Sequence, residues 1–232
     1  HLGAGVRALL LYPMNALAND QMKRLRRVLA NVPEITFGRY IGDTREKHEE
    51  AESTFARLNP GEALLPNELL SRDEMRQSPP HLLLTNYAML EYLLLRPADI
   101  ELFEGHGAGN WRHVVLDEAH VYDGAKGAEI AMLLRRLTDR VNAGRPLQYI
   151  ATSATVGSEP TQVTEFASRL FNAPFEYRTD NPQRQDLVTA TRELAPPTAW
   201  GPLSADVWRN VLAAPDPASA FQDQATEATG VP

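Results

Sequence analysis

Five short aliphatic runs, each followed by a helical pattern, constrain the fold of this chain more than any other feature. They occupy residues 7–12, 35–41, 81–85, 113–116 and 147–151. Several are apolar at consecutive positions, as in Leu82, Leu83 and Leu84, which fits strands covered on both faces. Between the first two runs, residues 16–30 place Leu17, Met22, Leu25, Val28 and Leu29 at helical spacing, with Lys23, Arg24, Arg26 and Arg27 in the positions between. Residues 124–141 repeat the pattern with Ile130, Leu133, Leu134, Leu137 and Val141. Strand and helix in alternation predict a three-layer α/β domain on a mainly parallel sheet. Ligands then belong at the carboxyl ends of the strands.

The pattern also predicts boundaries. Residues 59–80 are polar, carry Pro60, Pro66, Pro79 and Pro80, and read as a loop with one short helix near 67–77. Past Pro174 the alternation weakens between Pro182, Pro196, Pro197, Pro202, Pro215 and Pro217, with a short helix expected at 204–213. The compact domain is therefore expected over 1–178, and 179–232 as a connector or weakly ordered tail. With 232 residues and 43% apolar side chains, the chain can bury a sizeable core. Its apolar runs fall short of the ~20 residues of a membrane span, so no membrane partner is expected. Cysteine is absent, which removes disulfides, thiolate metal sites and cysteine nucleophiles. The opening residues, from His1, have no basic region followed by a long apolar one, so a cytoplasmic piece of a longer protein is expected. A formal net charge of −7 does not advertise nucleic-acid binding.

Chemistry concentrates where the 113–116 run ends, at Asp117, Glu118, Ala119 and His120. Two adjacent carboxylates at a sheet's carboxyl edge suit a nucleotide's Mg2+, held by Asp117 probably through water, and a general base, Glu118, that polarises the attacking water. Taken alone, Asp-Glu is also what any strand ending at a surface can show. The run at 147–151 sharpens the reading, because it ends in Thr152, Ser153, Ala154 and Thr155. A neighbouring parallel strand would bring Ser153 and Thr155, two small hydroxyl residues, within reach of the carboxylates and His120.

Together these residues resemble motifs II and III of superfamily 2 helicases of the DEAH type. The resemblance implies a RecA-like first lobe, ATP and Mg2+ as cofactors, Asp117, Glu118 and His120 as catalytic residues, and Ser153 and Thr155 as the link from nucleotide state to nucleic acid. It extends to other stretches of the first 175 residues. Leu11 to Gln21, containing Pro13, Met14, Asn15 and Ala16, resembles motif Ia; Gly42, Asp43 and Thr44 sit where the family has a glycine-containing contact loop; Thr85 and Asn86 occupy the place of motif Ib. The wording of these motifs is similar to a bacterial subgroup that includes the mitomycin-repair helicase and phage-defence helicases. The implied partners are a nucleic acid, with DNA favoured over RNA but both left open by backbone contacts, and a second RecA-like lobe of the same parent chain.

Physical chemistry allows these contacts in an acidic protein. Residues 13–16 and 85–87 each join a strand's carboxyl end to a helix start, where free N–H groups and the helix dipole attract phosphate without net positive charge. Asn15 and Thr85 are expected to add side-chain hydrogen bonds there, plain N-capping being the other reading. A phosphate-cradling loop needs Lys followed by Ser or Thr. Lys23, Lys47 and Lys126 precede Arg24, His48 and Gly127, so these residues contain no Walker A loop. The domain is therefore expected to be truncated at its N-terminus just after that loop, and the fragment inactive by itself. A degenerate, non-catalytic lobe that scaffolds a nucleic acid or protein is the alternative.

Overall fold

The computed structural model describes residues 2–104, 107–141, 144–154, 159–181, 185–189 and 205–229. The chain divides into two compact units, His1–Leu187 and Val188–Pro232. In the first, a six-stranded sheet is formed by β1 (Ala8–Tyr12), β2 (Phe37–Arg39), β3 (Glu68–Leu69), β4 (Leu82–Asn86), β5 (His113–Leu116) and β6 (Gln148–Ala151). The order is β3-β2-β4-β1-β5-β6 and every neighbouring pair is parallel. The helices are α1 (Asn15–Leu29), α2 (His48–Leu58), α3 (Arg72–Gln77), α4 (Tyr87–Leu95), α5 (Glu101–Glu104), α6 (Gly124–Val141) and α7 (Pro160–Phe171). This is the three-layer, RecA-like α/β arrangement expected of the sequence.

Consecutive apolar residues in the strands serve two cores. Leu9 and Leu11 of β1, Leu83 of β4 and Val114 and Leu116 of β5 pack with Leu90, Leu93, Ile130, Leu134 and Leu137 of α4 and α6. The alternate residues, Tyr12 and Leu84, pack with Ala18, Met22 and Leu29 of α1 on a second cluster. Each fully buried leucine contributes about 1.5–3 kcal/mol, so β1 and β4 fix the sheet between its helical layers. Helix α6 buries the stripe that its spacing predicts, Ile130, Leu133, Leu134, Leu137 and Val141. In α1 the stripe is narrower than expected: Val28 is 67% exposed. Strand β6 also departs from two-sided burial. As the last strand of the order it leaves Ile150 39% exposed.

The segment expected to be loop with a helix near 67–77 instead contains a strand and a shorter helix. Asn67 donates to the Leu29, Val32 and Ile35 carbonyls at the end of α1, which leads the chain into β3. Arg26 of α1 grips Glu68 with two bonds of 2.8 and 2.9 Å. Ser71 then caps α3, its hydroxyl accepting from the Glu74 N–H while the Glu74 carboxylate accepts from the Ser71 N–H, so the helix starts at Arg72. Within the first unit, hydrogen bonds from the Glu176 N–H to Asp186 and from the Arg178 N–H to Gln185 tie residues on either side of 178 together. The second unit contains α8 (Ala205–Ala213), where a short helix was expected, and α9 (Pro217–Thr229), which was not; Trp208 stacks on Phe221 at 5.6 Å. Among the described residues no helix is long and apolar enough to cross a membrane.

Candidate functional site

Strands β1, β5 and β6 end together, and their terminal hydrogen bonds hold the acidic pair. The Asp117 N–H donates to the Leu11 carbonyl at 2.9 Å, the Thr152 N–H to the Leu116 carbonyl at 3.0 Å, and the Ala119 N–H to the Thr152 carbonyl at 2.8 Å. Between Asp117 and Ala119 the chain turns sharply, with Glu118 in the left-handed region at φ 52°. For a non-glycine residue this conformation costs about 1–3 kcal/mol and persists only where the surroundings enforce it. The two bonds on either side of Glu118 do so.

The side chains meet at the same edge. Thr152 donates its hydroxyl to Asp117 Oδ1 in a short bond. His120 Nδ1 lies 2.9 Å from Ser153 Oγ and 3.2 Å from Glu118 Oε2. That Oε2 is shut off from solvent and has no hydrogen-bond partner among the described residues, the imidazole being close to it but not aligned for a bond. Burial, reinforced by the Asp117 charge, pushes the Tyr12 phenol up to about 12. Tyr122, whose hydroxyl is buried without a partner among the described residues, is raised by burial first, then by Tyr87 and Asp117. Lys126 Nζ sits 5.0 Å from the Tyr87 ring and 5.5 Å from that of Tyr122. Gly127 lets α6 approach the turn carrying His120: a Cβ there would stand 2.5 Å from the Tyr122 carbonyl oxygen.

No group of three or more His, Cys, Asp or Glu side chains able to enclose a metal occurs among the described residues. Of the two hydroxyl residues named from sequence, the structure brings Ser153 to His120. Thr155 lies outside the described residues. Thr152, which the sequence reading passed over, makes the contact with Asp117.

The expected nucleic-acid residues lie at the same carboxyl edge, on β1, β2 and β4. Helix α1 begins after Met14, which is 60% exposed and offers no side-chain cap, so the first N–H groups of α1 have no capping side chain from that position among the described residues. Pro13 and Asn15 are half-buried and Ala16 exposed. Asn86 caps α4 through the Met89 N–H at 2.8 Å and donates to Asn15 Oδ1 at 2.6 Å, tying the two helix starts together. Thr85 is turned inward. It is fully buried and its hydroxyl donates to the Tyr40 carbonyl at 2.6 Å, so the expected surface hydrogen bond from Thr85 is replaced by an internal one. Thr44 is similarly engaged, accepting from the Ile41 N–H and donating to the Arg39 carbonyl. That closes the loop and leaves Gly42 and Asp43 exposed at its tip.

Sequence reasoning missed what supports that loop. Arg72 donates to the Ile41 and Gly42 carbonyls at 3.2 and 3.0 Å, and its guanidinium lies over the Tyr40 ring at 5.3 Å. The Tyr40 hydroxyl donates to Asp99 at 2.6 Å, and Arg76 bonds both Asp99 at 2.7 Å and Tyr40 at 2.9 Å. Two arginines four apart on a six-residue helix carried this signal, the separation that places side chains on one face.

With this geometry in view, comparison with known proteins is direct: the DEAD/DEAH box helicase family matches residues 1–163, from before β1 into α7. The chain belongs to the DEAD/DEAH box helicases. It is 32% identical to the Druantia protein DruE of Escherichia coli, covering 66% of this chain and 13% of that one. It is 29% identical to the ATP-dependent helicase HRQ1 of Saccharomyces cerevisiae, covering 64% of this chain and 12% of that one. Among solved structures, the DUF1998 helicase MrfA bound to DNA and AMPPNP aligns with a TM-score of 0.53 at 27% identity, over 75% of this chain and 20% of that one. The chain thus spans a fifth or less of these relatives.

Proposed function

We propose that this helicase-family chain is the first RecA-like lobe, residues 1–178, of an ATP-driven helicase or translocase that moves on DNA, completed by a second lobe of the same parent and acting in the cytoplasm. The observation that carries the reading is the meeting of Asp117, Glu118, His120, Thr152 and Ser153 at one end of the sheet, beside the strand-end loops of β1, β2 and β4. MrfA, solved with DNA and with AMPPNP, supports DNA and ATP as ligands.

In this reading Mg2+, when bound, neutralises charge on the transferring phosphate. Asp117 would hold it through a water, one carboxylate oxygen accepting from the Thr152 hydroxyl. Glu118 holds the hydrolytic water and accepts its proton, its Oε2 having no competing hydrogen bond among the described residues. His120 presents one nitrogen, Nδ1, to both that carboxylate and Ser153, so a change at Glu118 alters the Ser153 contact and reaches the end of β6. The nucleic-acid backbone lies on the free N–H groups at residues 14–16, the Asn15–Asn86 bridge and the loop at 42–44. Thr85 and Thr44 then act as positioning residues, and Thr155 completes the coupling. Residues 179–232 connect the lobe to the rest of the parent.

Single-stranded DNA should accelerate ATP hydrolysis by the intact parent, while these 232 residues alone, having no Walker A lysine, should hydrolyse ATP at background rate. Phosphate-release measurements check both. Turnover by the isolated chain that Glu118→Gln abolishes would refute the incomplete site, and a parent indifferent to DNA would favour the scaffold.

A further inference from the structure

A cavity of about 250 Å³ opens between α1, α2 and the ends of β2 and β3. Strands β4 and β1 separate β2 from β5, which carries Asp117 and Glu118, so this is a different place on the sheet. Four cations line it: Lys23 and Arg26 from α1, Arg39 at the end of β2, and Arg45 from the loop that follows. Of these, Lys23, Arg39 and Arg45 have no ion pair among the described residues. Two acids share the wall. Glu68 is 4% exposed and is already gripped by both arms of Arg26. That leaves Lys23, Arg39 and Arg45 against Asp43, a local excess of two positive charges in a chain whose net charge is −7.

Arg39 is the informative member. Its side chain is half-buried, and burial, then the Arg26 charge beside it, lowers its pKa. A guanidinium still stays protonated at neutral pH; Asp43 and Glu68 act on it through space but neither forms an ion pair with it among the described residues, so an anion in the cavity would supply the contact partner that this partly desolvated cation lacks. An arginine fork sharing one cavity with a lysine and a second arginine suits the several oxygens of phosphate better than a single carboxylate. The contact loop is continuous with the site, since Asp43 and Thr44 line the cavity as well.

We propose that this cavity is an anion site that takes a phosphate group, supplied by a nucleic-acid backbone passing the loop at 42–44 or by a small phosphorylated ligand. The site stands independently of the hydrolytic role given to Glu118.

Calorimetric titration of the purified 232-residue chain tests it, with inorganic phosphate, AMP and a ten-residue oligothymidylate as probes at matched ionic strength. Phosphate should bind the wild type, weaken about tenfold or more in Arg39→Gln, and bind Arg39→Lys with intermediate affinity. Should Arg39→Gln fail to fold, the double variant Lys23→Gln/Arg45→Gln, altered only at exposed rim positions, carries the same expectation. If oligothymidylate affinity falls in step, the phosphate comes from a backbone; if only phosphate and AMP weaken, it comes from a small ligand. Either upholds the site. Failure of all three probes to bind the folded wild type up to about 10 mM, or equal binding by folded charge-removed variants, overturns it.

Discussion

Replacing Arg76 by Met should cost more stability than its place on a short helix suggests. The Arg76 side chain is 14% exposed and that of Asp99 is wholly buried, with 2.7 Å between Nε and Oδ1. Two such charges, centred about 4 Å apart in a medium of effective dielectric about 20, attract by about 4 kcal/mol. Ion pairing and hydrogen bonding raise the Arg76 pKa even though burial works against the charge. Without Arg76, Asp99 keeps only the Tyr40 hydroxyl and a more distant Arg96 at 3.6 Å, and breaking a buried pair from one side costs about 3–5 kcal/mol. At a urea slope of about 2 kcal/mol per molar, the midpoint should fall by about 1.5–2.5 M. Hydrogen exchange at β1 and β4 amides, measured beside the denaturation curve, ensures that unfolding of the sheet is what is read. Arg76→Met/Asp99→Leu should recover much of the loss, because it leaves no buried charge unpaired. A loss below about 1 kcal/mol in Arg76→Met, or a double variant equal to the sum of the singles, would refute the argument that this pair braces the contact loop.

Two further outcomes follow from local geometry. Gly127→Ala should lower stability by about 1–3 kcal/mol although alanine is the better helix former, because its Cβ would meet the Tyr122 carbonyl at 2.5 Å; a melting temperature at or above wild type would contradict this. The His48–Glu74 contact of 2.8 Å raises the His48 pKa above 6.5; against burial, the hydrogen bonds from Ser71 and then from His48 hold Glu74 below 4.5. Its stabilisation should therefore be fullest between those values, fade as rising pH passes the folded His48 pKa, and fade again as falling pH passes the folded Glu74 pKa. Being exposed at His48, it should be worth about 0.5 kcal/mol or less. His48→Gln should flatten that part of the stability curve between pH 5 and about 8, and an unchanged curve would exclude the pair.

The parallel sheet was readable because strands buried on both faces must be apolar at successive positions, as Leu9, Leu10 and Leu11 are. Strand β3 was not. It is two residues long, and its buried Glu68 makes sense only through Arg26, 42 residues earlier in the chain. Helix α2 buries only Ala51 and Phe55, too sparse a stripe to stand out. By contrast, the Ser71 and Glu74 spacing did mark the start of α3, so placing that helix from residue 67 ignored a usable signal. In the site, Asp117, Glu118 and His120 were legible because adjacent polar groups after an apolar strand have a definite place in this fold. The internal partners of Thr85 and Thr44, the carbonyls of Tyr40 and Arg39, were not legible because strand pairing and loop closure supply them. Residue type alone does not reveal which way a hydroxyl points. Thr152 was overlooked beside Ser153 for the same reason, since only the register of β5 on β6 sets it against Asp117.

The account rests on Glu118 as the base at the sheet's carboxyl edge. Single-turnover ATP hydrolysis by the intact parent protein carrying Glu118→Gln, measured beside AMPPNP affinity, tests it most directly. Hydrolysis should fall by about 10²- to 10⁴-fold while AMPPNP affinity stays within about twofold of wild type. Hydrolysis at the wild-type rate would contradict the account.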